Sequence, residues 1–285
     1  NYNQEIKMVS RIDYDCVTLE KDDDGIAWVT LNRPEKRNAM SPQLHYDMEN
    51  VMMGLETDDE VQVIVLTGAG DSWSAGMDLR EYFRATDNDP TAQFRSFMAN
   101  KHWSWEILAH SRKATIAMVN GYCFGGAFIP LCACDMVVTA EDAVYGLSEI
   151  NWGIIPGGIV SKVIVDVMAH RDAMFYAMTG RTFDGNKAVE MKLANIAVPG
   201  DKLREETVAL ARELMEKNPT VLAYTKQAVR AVKTMDMENA YEYLRAKIQA
   251  LQFMDGEGTR ARGMEEFLDK KTYRPGLGPV SRSDD

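Results

Sequence analysis

Two hydrophobic periods share this chain, and the point where one gives way to the other divides it. Apolar, β-branched runs at 17–20 and 26–31 flank Asp22-Asp23-Asp24-Gly25, a turn composition, and together predict a β-hairpin. A helix is expected over 42–57, with Ser41 as N-cap and Pro42 in the first turn, where a missing N–H leaves no gap. Residues 61–67 are apolar almost throughout, as in a strand buried on both faces of a parallel sheet. Further strands are predicted at 115–119, 136–139 and, briefly, 144–145, with helices over 91–111 and 124–133 among them. Strand and helix in repetition indicate an α/β architecture.

Beyond Ile159 the strand signals almost vanish. Amphipathic helices are predicted over 171–179, 186–193, 201–217, 220–232, 237–254 and 259–268. In the fifth of these, Ala240, Tyr243, Leu244, Ile248 and Leu251 recur at helical spacing, and that apolar face needs a partner surface. Association between subunits would supply one. The chain is accordingly divided into an α/β core over 13–200, a C-terminal helical region over 201–270 that serves the acyl pocket and oligomerisation, and a loose tail over 271–285, rich from Pro275 onward in Pro, Gly, Ser and charge.

Composition narrows the partners. With 285 residues, 46% of them hydrophobic, the chain is long enough to bury a sizeable core. A formal charge of −11 lacks the positive field that nucleic acid or an anionic membrane surface would require. Any anionic ligand must therefore meet a local basic patch. Cys16, Cys123, Cys132 and Cys134 show no C-x-x-C spacing and are expected as buried thiols. Asn1 to Asp15 contain no apolar run behind a basic leader, and a cytoplasmic protein is expected.

Several chemistries lose their warrant. There is no G-x-G-x-x-G after a strand, no Walker lysine loop and no G-x-S-x-G elbow. The histidines His45, His102, His110 and His170 form no H-x-x-x-H pair and are expected to pack helices or face solvent, and no metal site is expected. What remains is a carboxylate between glycine-rich corners. Glu149 lies in Leu147-Ser148-Glu149-Ile150-Asn151-Trp152-Gly153, with Pro156-Gly157-Gly158 behind it and Gly125-Gly126 ahead. The loop Ala75-Gly76-Met77-Asp78-Leu79 offers a second place where glycine lets bare backbone N–H groups approach a ligand. Two amide donors and one acid suit a reaction that passes through an enolate.

Four segments, Asn32-Arg33-Pro34-Glu35-Lys36-Arg37-Asn38-Ala39-Met40, the Ala75–Leu79 loop, Asn120-Gly121-Tyr122-Cys123-Phe124-Gly125-Gly126 and Ser148-Glu149, stand in an order and spacing that resembles the crotonase (enoyl-CoA hydratase/isomerase) superfamily over residues 13–268. Gly76 to Phe83 and Leu147 to Gly153 are most similar to the hydroxycinnamoyl-CoA hydratase-lyases, which convert feruloyl-CoA and its relatives to aromatic aldehydes. The resemblance implies a spiral of strand-strand-helix units, a homotrimer or dimer of trimers, an acyl-CoA thioester substrate and no separate cofactor. It implies that Glu149 is the acid-base, and that the N–H groups of Met77 and Gly126 hold the thioester oxygen. It further implies that Tyr82, Ser148, Trp152, Gly125 and Gly157 line the acyl site, and that Lys36, Arg37, Ala39, Ala75 and Leu79 meet coenzyme A.

Two departures accompany it. Ordinary hydratases of this family hold water between two glutamates, and the hydratase-lyases carry serine at the first of those positions; here Ile129 stands there. Arg245 matches a C-terminal tyrosine that contacts the substrate phenol, with Tyr241 and Tyr243 nearby. Trp73, Trp103 and Trp105 are expected either to enlarge an apolar pocket or to pack the core. Hydration followed by carbon–carbon cleavage is the expected activity. A plain enoyl-CoA hydratase, isomerase or acyl-CoA decarboxylase of the same fold is one alternative, and a non-catalytic acyl-CoA-binding protein is another.

Overall fold

The computed structural model describes residues 8–274 and 278–280. Its first strands, β1 (Met8–Asp13), β2 (Val17–Asp22) and β3 (Ile26–Leu31), form an antiparallel meander. The acidic turn closes the expected hairpin: the Asp22 carboxylate accepts the Ile26 amide at 2.8 Å and the Trp28 indole N–H at 3.1 Å. Helix α1 (Pro42–Glu56) starts as predicted, with the Ser41 hydroxyl accepting the Leu44 amide at 3.2 Å. Its inner face buries Leu44, Met48, Val51, Met52 and Leu55.

Strand β4 (Val63–Gly68) follows and is buried along its whole length, so it has no polar face to offer solvent. After β5 (Ser72–Ser74), helix α2 (Pro90–Lys101) runs through wide, i→i+5 turns over His102–Ile107 into α3 (Leu108–His110). The predicted helix over 91–111 is thus a single rod with a loosened segment, a feature common near functional sites. Then come β6 (Ala114–Val119), β7 (Tyr122–Phe124), a tight turn over Gly125–Ala127, α4 (Phe128–Ala133), β8 (Met136–Ala140) and β9 (Tyr145–Gly146). The remainder comprises α5 (Val160–Val167), α6 (His170–Thr179), β10 (Thr182–Phe183), α7 (Gly185–Glu190), β11 (Ile196–Val198), α8 (Leu203–Met215), α9 (Pro219–Val232), α10 (Met237–Met254) and α11 (Thr259–Met264).

From β4 to β9, consecutive strands go to different sheets. A seven-stranded sheet has the order β1-β2-β3-β4-β6-β8-β11, parallel from β3 onward, and a four-stranded sheet has the order β10-β9-β7-β5. Each turn of the spiral lays one strand in the large sheet, the next in the small sheet, and returns through helix, which is the strand-strand-helix unit expected of the fold. Asn120 fastens one corner to the previous one, its amide donating to the carbonyls of Gly68 and Gly70 at 2.9 Å each. Trp28, Trp73, Trp103, Phe128 and Tyr145 fill the core, so Trp73 and Trp103 pack rather than line a pocket.

Several elements were not foreseen. β1, β5, β7, β10 and β11 are short or charged and offer no periodic window, and α5 is rich in valine and isoleucine, which read poorly as helix. The expected set of four buried thiols is three: Cys132 is partly exposed. No described residue of α10 is buried, and Ile248 is 60% exposed, so its predicted apolar face is only half covered within one chain. Of the expected tail, 271–274 and 278–280 have no regular structure, while 275–277 and 281–285 lie outside the described residues. Among the described residues no helix is long and apolar enough to cross a membrane.

Candidate active site

The topology itself gathers the predicted segments. In the small sheet β5, β7 and β9 lie side by side in parallel, so the loops leaving their C-terminal ends emerge together. Those loops begin at Ala75, Gly125 and Leu147. The first is fixed by a short parallel ladder to residues 37–40: the Ala75 amide donates to the Arg37 carbonyl (2.8 Å), Met40 donates to Gly76 (2.7 Å), and Asp78 donates to Met40 (3.0 Å). Because residue 40 bonds to residues 76 and 78, the N–H of Met77 is turned to the opposite side. Gly126 sits in the first turn ahead of α4, where amides have no intrahelical acceptor.

Glycine is required where these two loops touch. Gly76 has φ +86°, and a Cβ there would stand 2.5 Å from the Phe124 carbonyl oxygen and 3.2 Å from the Gly126 nitrogen. On the other side, a Cβ at Gly125 would stand 3.3 Å from Glu149 Oε1. Acid, glycine corner and amide loop are therefore in van der Waals succession.

A lock invisible in the sequence holds this arrangement. Arg33, only 8% exposed, donates to Asp78 Oδ2 at 3.1 Å, to Glu81 Oε1 at 2.8 Å and to the Ala39 carbonyl at 2.6 Å. The other oxygen of Asp78 caps the following turn, accepting the amides of Arg80 (3.0 Å) and Glu81 (2.8 Å). Burial pushes the Asp78 carboxyl up, but the Glu81 amide, Arg33 and the Arg80 amide together outweigh it and hold it below the ordinary value. Asn38 sits in left-handed backbone at φ 53° and is fully buried; its side chain donates to the carbonyls of Ala69 (2.8 Å) and Ser72 (2.7 Å) and accepts the Arg33 amide (2.8 Å). These bonds over-determine a conformation that a free chain would avoid.

Glu149 is 8% exposed, and its Oε2 is buried without a hydrogen-bond partner among the described residues. Burial raises its carboxyl above the ordinary value, only partly opposed by a backbone hydrogen bond. It opens onto a cleft of ≈ 1470 Å³. All three residues assigned to chemistry, Glu149, Met77 and Gly126, line that cleft. So do Tyr82, Ser148, Trp152, Gly125 and Gly157, and at its mouth Lys36, Arg37, Ala39, Ala75 and Leu79. Lys36, Arg37 and Arg80 supply the local positive charge that the acidic chain otherwise lacks, and Arg37 lies 4.7 Å over the Tyr122 ring.

Ile129 also lines the cleft, with its Cδ1 3.5 Å from where a Cβ on Gly158 would be. Asp78 is the other carboxylate of the described lining, and it is taken up by Arg33 and the amides of Arg80 and Glu81. Arg245, Tyr241 and Tyr243 are not cleft residues of their own chain: α10 packs on α9 and carries Arg245 on an exposed face. The sequence reading also missed Phe94, Phe97 and Asn100, which α2 contributes to the cleft. Their only signal was an excess of aromatic residues on a helix that otherwise reads as polar.

Comparison with known proteins gives the family. The chain is similar to a hydroxycinnamoyl-CoA hydratase-lyase of Pseudomonas fluorescens, 51% identical over 91% of this chain and 95% of that one. A solved enoyl-CoA hydratase subunit from Geobacillus kaustophilus superposes with TM-score 0.81 at 26% identity, covering 92% of this chain and 98% of the other. An enoyl-CoA hydratase from Bacillus anthracis shares the fold with TM-score 0.78 over 98% and 99% of the two chains, at 23% identity. The enoyl-CoA hydratase/isomerase family model matches residues 21–274, nearly the whole of the described structure, and the chain therefore belongs to that family.

Proposed function

We propose that this enzyme hydrates the double bond of a hydroxycinnamoyl-CoA thioester and then cleaves the adduct to an aromatic aldehyde and acetyl-CoA. The observation that carries the reading is a buried carboxylate with an unpaired oxygen, Glu149, set against the glycine corner that presents Gly126 and Met77, while Asp78, the other carboxylate of the cleft lining, is tied to Arg33. Similarity to the Pseudomonas fluorescens hydratase-lyase supports the substrate class.

In the first step the Glu149 carboxylate takes a proton from water as the water oxygen bonds to the β-carbon. The alkene electron pair moves toward the thioester, and the enolate oxygen is held by the amides of Met77 and Gly126. Protonated Glu149 then delivers its proton to the α-carbon, giving a β-hydroxyacyl thioester. In the second step Glu149 removes the β-hydroxyl proton, the carbonyl of the aldehyde forms, and the bond between α- and β-carbons breaks. Its electron pair becomes the enolate of acetyl-CoA, held by the same amides, and Glu149 returns the proton to that carbon. A carboxyl raised by burial is a better proton acceptor than a solvated one, which suits both abstractions.

Coenzyme A enters as part of the substrate, with Lys36 and Arg37 meeting its phosphates, and neither step calls for a metal or redox cofactor. The half-covered face of α10 supports assembly as a homotrimer or dimer of trimers, and a cytoplasmic location fits the substrate. The test is to incubate wild type and Glu149→Gln with coumaroyl-CoA and follow aldehyde and acetyl-CoA. The variant should bind the ester yet lose about 10²–10⁴-fold in turnover. Turnover within a few-fold of wild type would remove Glu149 from the mechanism.

A further inference from the structure

His45 is a buried polar group that the mechanism leaves unused. It projects from α1 with no solvent exposure and does not line the cleft. Its Nδ1 lies 3.0 Å from the indole nitrogen of Trp103. An indole nitrogen can only donate, so Nδ1 is the bare nitrogen and the proton resides on Nε2. Burial drives its pKa down to about 3, which keeps the ring neutral. Nε2 is buried and has no hydrogen-bond partner among the described residues. Folded proteins seldom keep such a group without a reason.

What the imidazole does meet is Tyr82. The two rings are edge-to-face, with centroids 5.3 Å apart and planes at 72°. Phe83 makes a second edge-to-face contact with Tyr82 at 5.1 Å and 84°, and burial raises the pKa of the phenol, partly offset by the Asn100 side chain. Tyr82 is thus gripped on its ring by His45 and Phe83, while still lining the cleft together with Asn100. A phenylalanine in place of His45 would fill similar space but leave the Trp103 indole without an acceptor. A charged imidazole would be expelled. The neutral tautomer satisfies both neighbours.

We propose that His45 is a positioning residue, its tautomer fixed by Trp103, that holds the Tyr82 ring in the orientation that presents the tyrosine hydroxyl to the phenol end of a hydroxycinnamoyl thioester. This rests on the substrate reading above and deepens it: recognition of the para-hydroxyl extends through Tyr82 into a buried Trp103–His45 pair on α1 and the helix beyond α2.

The experiment compares kcat/KM for coumaroyl-CoA and unsubstituted cinnamoyl-CoA in wild type, His45→Phe, His45→Gln and Trp103→Phe, each as the full chain. His45→Phe removes the acceptor of the Trp103 indole and should lower the preference for the hydroxylated ester by about 3- to 10-fold, the net worth of one hydrogen bond, with cinnamoyl-CoA little changed. Trp103→Phe should move it the same way. His45→Gln, whose carbonyl can accept from the indole and whose amide can donate toward Tyr82, should restore most of the preference. Nitrogen NMR of wild type gives a readout independent of folding in the variants: a protonated Nε2, a bare Nδ1 and no titration near the ordinary histidine value of about 6.5.

Equal losses on both esters, an unchanged preference in His45→Phe, or a proton on Nδ1 overturns the positioning role. Wild type that prefers the hydroxylated ester while His45→Phe keeps that preference removes the inference alone. Wild type with no such preference removes the substrate reading and the inference with it.

Discussion

Gly76→Ala is the sharpest test of whether the contact between the two glycine loops builds the oxyanion site. The new methyl would stand 2.5 Å from the Phe124 carbonyl oxygen, which is backbone and cannot rotate away, whereas ordinary contact begins near 3.4 Å. To admit it, the Ala75–Leu79 loop and the end of β7 must part by close to one ångström. The ladder from Met40 to Gly76 at 2.7 Å and from Asp78 to Met40 at 3.0 Å resists that movement, so the displacement falls on Met77 and Gly126, the residues beside the clash. An alanine at φ +86° adds about 1–2 kcal/mol of backbone strain. The separation of two donors by that distance amounts to losing one of them, and kcat should fall about 10²–10³-fold. Stopped assays of aldehyde release, with ester affinity measured separately and circular dichroism to verify the fold, would show the loss in kcat rather than in binding. Gly54→Ala on α1 is the control: nothing lies within 4 Å of its new methyl, and it should leave turnover unchanged. If Gly76→Ala turns over within a few-fold of wild type, the amides of Met77 and Gly126 do not share one oxygen.

The raised Glu149 carboxyl should place the acid limb of kcat/KM above the ordinary value of 4.5. By linkage, a folded-state pKa above the unfolded one contributes stability that is present below 4.5 and lost as pH rises through the folded value, so Glu149→Gln should melt above wild type at mildly alkaline pH, with the gap closing in acid; an invariant gap refutes the desolvation argument. Asp78→Asn strands the Arg33 guanidinium beside a half-exposed Glu81 and should cost about 3 kcal/mol in urea unfolding. Asp78 is depressed, so its contribution is present above 3.8 and disappears as pH falls through its folded value; an Asp78→Asn penalty that persists undiminished in strong acid would contradict the pairing. Ile248→Asp on α10 should be nearly neutral for a lone chain, since the side chain is 60% exposed, yet should reduce the assembled mass by light scattering; an unchanged mass means that this face is not an interface.

That Glu149, Gly126 and Met77 would share one cleft was readable from the chain because glycine-rich corners flank them, and glycine pairs are conspicuous in sequence. Strands β4 and β6 were readable for a similar reason, being apolar on both faces. Arg33 was not, since its partners Asp78 and Glu81 lie 45 and 48 residues away and nothing local marks a guanidinium for burial. Phe94, Phe97 and Asn100 were missed because an aromatic stripe on a helix resembles core packing until the opposite wall of the cleft is known. Of the small sheet only β9 was foreseen: the other strands run two or three residues, and they exist because the spiral brings them into register, a tertiary cause that leaves no periodic trace. Arg245 lies exposed on α10 and outside the cleft lining of its own chain, a placement that its position in the sequence does not reveal.

One property of the Met77–Gly126 pair reaches past any single reaction. In the proposed mechanism the donors are main chain, so most side-chain mutations would leave them intact, and erasing them would take a methyl at Gly76 or an equivalent distortion of a loop held by backbone ladders and the Arg33–Asp78 pair. The acid, by contrast, is a lone side chain that one nucleotide change can delete. Loss of Glu149 would therefore leave a protein that still grips thioesters without transforming them, and new residues placed over the same amides could supply different proton transfers. In this scaffold the capacity to hold an enolate should outlast the reaction it serves, so catalysis can be lost and reinvented while the binding frame persists.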